Sequence, residues 1–179
     1  MEEKILLKLA KDSIYEGLTK NKLIDKNQYK NKELYQHRAT FVTINKDGHL
    51  RGCIGSLLPQ RDLIDDIIYN AKAAAFKDPR FPPLTIDEFN DIEIEISLLS
   101  IPTLLEYKDI DDLKSKLKVG IDGVILKQNN HQATFLPSVW EQLPTFELFF
   151  EHLCAKANLN TNCLENHPQI YIYQAKKIK

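Results

Sequence analysis

The chain has 179 residues, with 24 Lys and Arg against 25 Asp and Glu, a formal net charge of -1 and 43% hydrophobic residues. That balance removes the electrostatic case for nucleic acid or an anionic membrane as partner, and no apolar run approaches the ~18 residues a membrane helix needs. The length suits a single domain, 1–179, or one domain with two lobes, with a core that needs no metal or other cofactor to fold. Cys53, Cys154 and Cys163 are odd in number and far apart, and no Cys-x-x-Cys occurs. Structural zinc and a disulfide framework are therefore poor readings, and a reducing compartment is expected. The start, Met1-Glu2-Glu3-Lys4 before Ile5-Leu6-Leu7, lacks the apolar stretch of a signal peptide, which adds to the expectation of a cytoplasmic protein.

Residues 3 to 19 carry Leu6, Leu7, Ala10, Ile14 and Leu18 near a helical period, predicting an amphipathic helix on a core. The lysine- and asparagine-rich stretch that follows predicts a surface loop with short helical turns. Ala39 to Asn45 is β-branched and aromatic, Lys46-Asp47-Gly48 is a turn signal, and Leu50 to Ile54 can pair back as the second strand of a hairpin. Pro59 opens a predicted helix with Leu63, Ile64, Ile67, Ile68, Ala71, Ala74 and Ala75 on one face, stopped by Asp78-Pro79. Asp78-Pro79-Arg80-Phe81-Pro82-Pro83-Leu84 must be a rigid, non-helical connector, because three prolines fix φ and remove three donors.

Asp91 to Ser100 alternates, with Ile92, Ile94, Ile96 and Leu98 against Glu93, Glu95 and Ser97, the pattern of an antiparallel strand with one apolar side. A short helix over 109–118, a second hairpin turning at Asn129-Asn130, a helix begun by Pro144-Thr145 with Phe146, Phe149, Phe150 and Leu153 inward, and a strand over 169–174 complete the order. The Lys176, Lys177, Lys179 tail reads as a solvated end. Strands come in hairpins and slightly outnumber helices, so the fold class is α+β with a mainly antiparallel sheet flanked by helices.

Leu50-Arg51-Gly52-Cys53-Ile54-Gly55 carries the chemistry. Strand alternation puts Arg51 and Cys53 on one face, where a cation favours the thiolate, and Gly52 and Gly55 let a backbone or ligand approach. The competing reading is a tight strand bend, an inert core cysteine and an arginine paired with a carboxylate. If the 91–100 strand lies beside the 50–54 strand, Glu95 is that carboxylate. Arg51, Cys53, Asp78 and Arg80 are expected to converge on one small polar pocket. His49 shares the face parity of Cys53 and leads the candidate bases, ahead of His37, His131, His152 and Glu95. His152 with Cys154 and Cys163 with His167 do not form a metal-ligand set.

Phe41-Val42-Thr43-Ile44, Lys46-Asp47-Gly48, the Leu50 to Gly55 motif, Asn70 to Phe76 and Asp78 to Leu84, in this order and spacing, resemble the AMMECR family, the A protein of the AmmeMemoRadiSam system. The resemblance is strongest over 39–100 and extends to Ala175. It implies two lobes of unequal size, the larger built from both chain ends, with the cysteine motif near a cleft. It also implies company: a radical S-adenosylmethionine protein and a Memo-like protein of dioxygenase-like fold. It does not supply a reaction. Three functions follow: an enzyme or enzyme component using Cys53 and Arg51 on a small anionic substrate, a non-catalytic adaptor that presents a substrate or protein, and an RNA-associated factor, disfavoured by charge.

Overall fold

A computed structural model describes residues 3–179. Two compact units are formed, one from the chain up to Leu99 together with Lys176–Lys179, the other from Ser100–Ala175. The class is α+β, with two four-stranded sheets and four α-helices among the described residues, none of them long and apolar enough to cross a membrane.

In the first unit, helix α1 (Glu3–Thr19) precedes strands β1 (Thr40–Lys46) and β2 (His49–Gly55), helix α2 (Leu63–Phe76) and strand β3 (Ile92–Leu99). The polar stretch after α1 contains two 3-10 turns, Lys26–Gln28 and Lys32–Tyr35, started by Asp25 and Asn31 side chains that accept backbone N–H groups two residues on. β1 and β2 meet through the two-residue loop Asp47-Gly48, both at positive φ, the backbone a tight hairpin requires. β1 lies between β2 and β3 and is antiparallel to both. Val42, Ile44, Ile92 and Ile96 bury one sheet face against Leu6, Leu9, Ile14, Ile64, Ile67 and Ala74 of the helices.

Two expectations need correction here. Helix α2 begins at Leu63, not Pro59, because the preceding backbone is already bonded elsewhere: the Arg61 carbonyl accepts the Arg38 N–H, and Leu63 donates to the Gln36 carbonyl. The lysine tail is not a loose end. Ala175–Ile178 forms strand β8, next to β3; Ile178 is buried in the core, and Lys177 and Lys179 pair with Glu95.

The second unit orders its sheet β4 (Thr103–Leu104), β7 (Gln169–Tyr173), β5 (Gly123–Gln128), β6 (His131–Phe135), and adds helices α3 (Ile110–Lys116) and α4 (Phe146–Lys156). The hairpin of β5 and β6 turns at Asn129-Asn130. Asp109 and Thr145 cap α3 and α4 by accepting the N–H of Asp112 and Leu148. The stripe of Phe146, Phe149, Phe150 and Leu153 is core, with Trp140 stacked on Phe149 at 3.7 Å between centroids. Cys154 and Cys163 form a disulfide, which corrects the reading that set one aside. The chain leaves α4 and returns in the 3-10 turn Cys163–Asn166, bringing the two Cα atoms to 5.8 Å, within bonding range.

Candidate functional site

The first unit gathers the motif residues around strand β2. The hairpin register slips by one between Ile44 and Asn45, so Ile44 faces Gly52 while Asn45 faces Leu50, and Arg51 is the extra residue of a bulge. Opposed residues share a sheet face, so one face carries the rows Leu50–Asn45–Glu93, Cys53–Thr43–Glu95 and Gly55–Phe41–Ser97. The bulge moves His49 onto the opposite face, in line with Lys46 and Ile92, and brings Leu50 to the face of Cys53. His49 therefore loses the parity that made it the leading base.

Both glycines of the motif are occupied by the chain itself. A Cβ on Gly52 would stand 2.2 Å from the Ala74 carbonyl oxygen of α2, so only glycine lets helix and strand approach. A Cβ on Gly55 would stand 2.2 Å from the Phe41 ring of the neighbouring strand.

Cys53 has its main chain fixed on the open edge of the sheet. Its N–H donates to Asp78 Oδ2 at 2.9 Å, and its carbonyl accepts from Arg80 Nη2 at 3.3 Å. Asp78 and Arg80 are tied to each other by two hydrogen bonds, Nε to Oδ1 at 3.0 Å and Nη2 to Oδ2 at 2.7 Å, and Asp78 Oδ1 also accepts the Arg80 N–H. Together they give edge strand β2 the donor and acceptor a further strand would supply. Hydrogen bonds from Arg80 and from the Cys53 backbone outweigh burial and hold the Asp78 carboxyl well below the usual carboxylate range, while Asp78 raises the Arg80 guanidinium above its ordinary value. The Cys53 thiol is partly buried and accepts the Thr43 hydroxyl at 3.3 Å.

Arg51 does not pair with Glu95, because β1 stands between their strands. Its partner is Glu88, held at both ends of the fork: Nε to Oε1 at 2.9 Å and Nη2 to Oε2 at 3.0 Å. The third nitrogen, Nη1, donates to the Pro82 carbonyl at 3.0 Å. Glu88 also accepts the N–H and hydroxyl of Thr85, and these donors, Arg51 foremost, pull its pKa down to about 2. The Phe81 ring lies beside both guanidiniums, 6.0 Å from Arg51 and 5.5 Å from Arg80.

The structure thus brings Cys53, Asp78 and Arg80 into direct contact and sets Arg51 beside them on the same connector, with Glu95 apart. Among the described residues no imidazole hydrogen-bonds the thiol, and no group of three His, Cys, Asp or Glu could hold a metal. Sequence reasoning missed Glu88 and Thr43. Thr85-x-x-Glu88 has capping-box spacing, in which the acid folds back onto the N–H three residues earlier, and that signal marked Glu88 as fixed in place. Thr43 was hidden by the bulge, since an unbroken register opposes it to Gly52.

A family model described as AMMECR1 matches residues 7–178. A protein of Methanothermobacter thermautotrophicus is 36% identical over 181 residues, covering 98% of this chain and 92% of its own. One from Pyrococcus abyssi is 34% identical, with 96% and 86% covered. The crystal structure of an uncharacterised protein from Pyrococcus horikoshii superposes with a TM-score of 0.84 at 32% identity, over 97% of this chain and 88% of that one.

Proposed function

Since the chain belongs to the AMMECR1 family, we propose that it works as a cytoplasmic adaptor, using the β2 face around Leu50, Thr43 and Cys53 to hold a protein partner rather than to transform a substrate. The observation that carries this reading is the two-pronged Arg51–Glu88 pair. It commits all three Arg51 nitrogens to protein acceptors, so the guanidinium the enzyme reading needs for an anionic substrate is already neutralised. The other motif residues serve construction: Gly52 seats α2, Gly55 receives Phe41, and Asp78 with Arg80 closes the strand edge. What the face offers outward is an exposed Leu50 at the hairpin. The partners to try first are those the family resemblance implies, a radical S-adenosylmethionine protein and a Memo-like protein of the AmmeMemoRadiSam system.

A second reading rests on Cys53 being a free, partly exposed thiol, with Arg80 keeping Nη1 uncommitted on a half-exposed side chain. Here the protein is an enzyme component that attacks through sulfur. Size-exclusion co-migration with each partner from the same organism separates the two. The adaptor predicts that Cys53→Ser retains the complex and Leu50→Asp abolishes it. Retention by Leu50→Asp, with loss of pathway product in Cys53→Ser alone, overturns the adaptor in favour of the thiol.

A further inference from the structure

Away from the cysteine motif, the first unit contains a groove of about 930 Å³ along α2, near the upper end of the range for small-molecule sites. Its lining residues on α2 run from Asp65 to Lys77 at helical spacing, a stripe about 18 Å long. Ile68, Ala73 and Phe76 give it an apolar floor, with Phe76 packed on Gly17 of α1.

The charges of the groove do not balance locally. Each carboxylate along it has a basic side chain beside it: Asp65 has Lys26, Asp62 has the His37 imidazole at 3.5 Å, and, at the α1 side, Glu16 has Lys72 at 2.9 Å. Lys20 and Lys77 have no carboxylate partner among the described residues. The Lys77 side chain runs back along its own helix, its ammonium 5.9 Å from the ring of Tyr69 about two turns earlier, and both residues line the groove.

Arg61 is placed over the same ring, 4.1 Å from the centroid, so the two cations lie within about 10 Å of each other. The anchor of Arg61 is buried: Nη1 donates at 3.2 Å to Asp66, whose carboxylate also accepts the Thr40 N–H and hydroxyl, the Ser56 hydroxyl and the Asn70 amide. A guanidinium fixed by a buried carboxylate at one nitrogen and stacked on tyrosine is preorganised, with its other side-chain donors unused. Tyr69 itself is half exposed, which for a large aromatic flanked by two cations is the mark of a recognition surface.

We propose that this groove binds an organic phosphate of mononucleotide size, its phosphate between Arg61 and Lys77 and its flat apolar body on Ile68, Ala73 and Phe76. A phosphate monoester carries close to two negative charges at neutral pH, which Arg61 and Lys77 would meet directly while Lys20, also lining the groove without a carboxylate partner among the described residues, adds to its positive potential.

The test is calorimetric titration of the full chain with AMP, UMP and FMN, alongside inorganic phosphate and adenosine. At least one of the three nucleotides should saturate with Kd at or below about 1 mM, inorganic phosphate should bind at least about tenfold more weakly, and the Lys20→Gln/Lys77→Gln double variant should lose about tenfold in affinity. Both lysines are at the surface, so an unchanged melting temperature shows that the variant is folded, and Lys77→Gln alone provides a second readout. Absence of saturation by all three nucleotides overturns the proposal. So does unchanged affinity in the folded double variant, or phosphate binding as tight as that of the nucleotides, which marks a bare anion site.

Discussion

The Asp78 carboxylate accepts the backbone N–H of Cys53 at 2.9 Å while Arg80, bound to the same carboxylate, reaches the Cys53 carbonyl. One ion pair thereby substitutes for a missing strand at the edge of the first sheet. Asp78→Ala removes the acceptor of a partly buried N–H and releases Arg80, whose half-exposed head water can solvate. The expected cost is about 1–3 kcal/mol, set mainly by the N–H left without a partner. Urea unfolding checks it. Arg80→Ala should cost at least as much, because it leaves the buried Asp78 carboxylate with only the backbone N–H groups of Cys53 and residue 80 as partners.

Acid should attack this connector through two carboxylates. The folded-state pKa of Asp78 lies well below the ordinary aspartate value, and that of Glu88 lies at about 2. A carboxyl lowered on folding contributes its full stabilisation above its unfolded pKa, roughly 3.9 for Asp and 4.3 for Glu, and loses it as pH falls toward the folded value. Stability from this pair should therefore be flat above about pH 5 and decline from there to pH 2. Unfolding curves at stepped pH should show a shallower acid slope in Glu88→Gln. An identical slope in wild type and variant shows that Glu88 does not carry it.

The two motif glycines should differ in what they tolerate. The added methyl of Gly52→Ala meets a helix carbonyl, and backbone can yield only by separating α2 from the sheet, an overpacking cost of about 1–3 kcal/mol or more. Gly55→Ala meets the Phe41 ring, a side chain that can turn away, so the loss should be smaller. Thermal melts of the two variants rank them. A Gly55→Ala loss equal to that of Gly52→Ala means the Phe41 ring is held as rigidly as the helix.

Much of this architecture can be read from local pattern. Asp47-Gly48 fixes the hairpin, the alternation of Ile92 to Leu98 fixes one apolar face, and the phenylalanine spacing of α4 fixes its buried stripe. Partnership is less legible because it depends on strand order and register. Nothing local says that β1 separates Arg51 from Glu95, and a single bulged residue at Arg51 moves His49 and Leu50 to opposite faces from those that simple alternation predicts. The lysine-rich tail misleads by composition, since one buried Ile178 is enough to recruit it as a strand. The sequence marked Cys53, Asp78 and Arg80 as residues to consider together; that their polar groups satisfy one another, and that Arg51 is bound instead by Glu88 and the Pro82 carbonyl, depends on long-range contacts no local pattern carries.

The disulfide of the second unit is open to direct chemical test. Cys154 lies in α4 among the phenylalanine core, Cys163 starts the next 3-10 turn, and both are buried. The bond closes a loop nine residues apart in sequence, short enough that its effect on the unfolded chain is modest, about 2–3 kcal/mol in the chain-entropy picture. Thiol titration in denaturant without reductant should then find one reactive cysteine, Cys53, and intact mass should rise by two hydrogens on reduction. Reduction should lower the denaturation midpoint by a matching amount, and Cys154→Ala/Cys163→Ala should be insensitive to reductant. Three reactive thiols in freshly purified protein mean that the two sulfurs sit as a buried dithiol. The stability of α4 then comes from packing around Phe149 and Trp140, and reductant should leave the midpoint where it was.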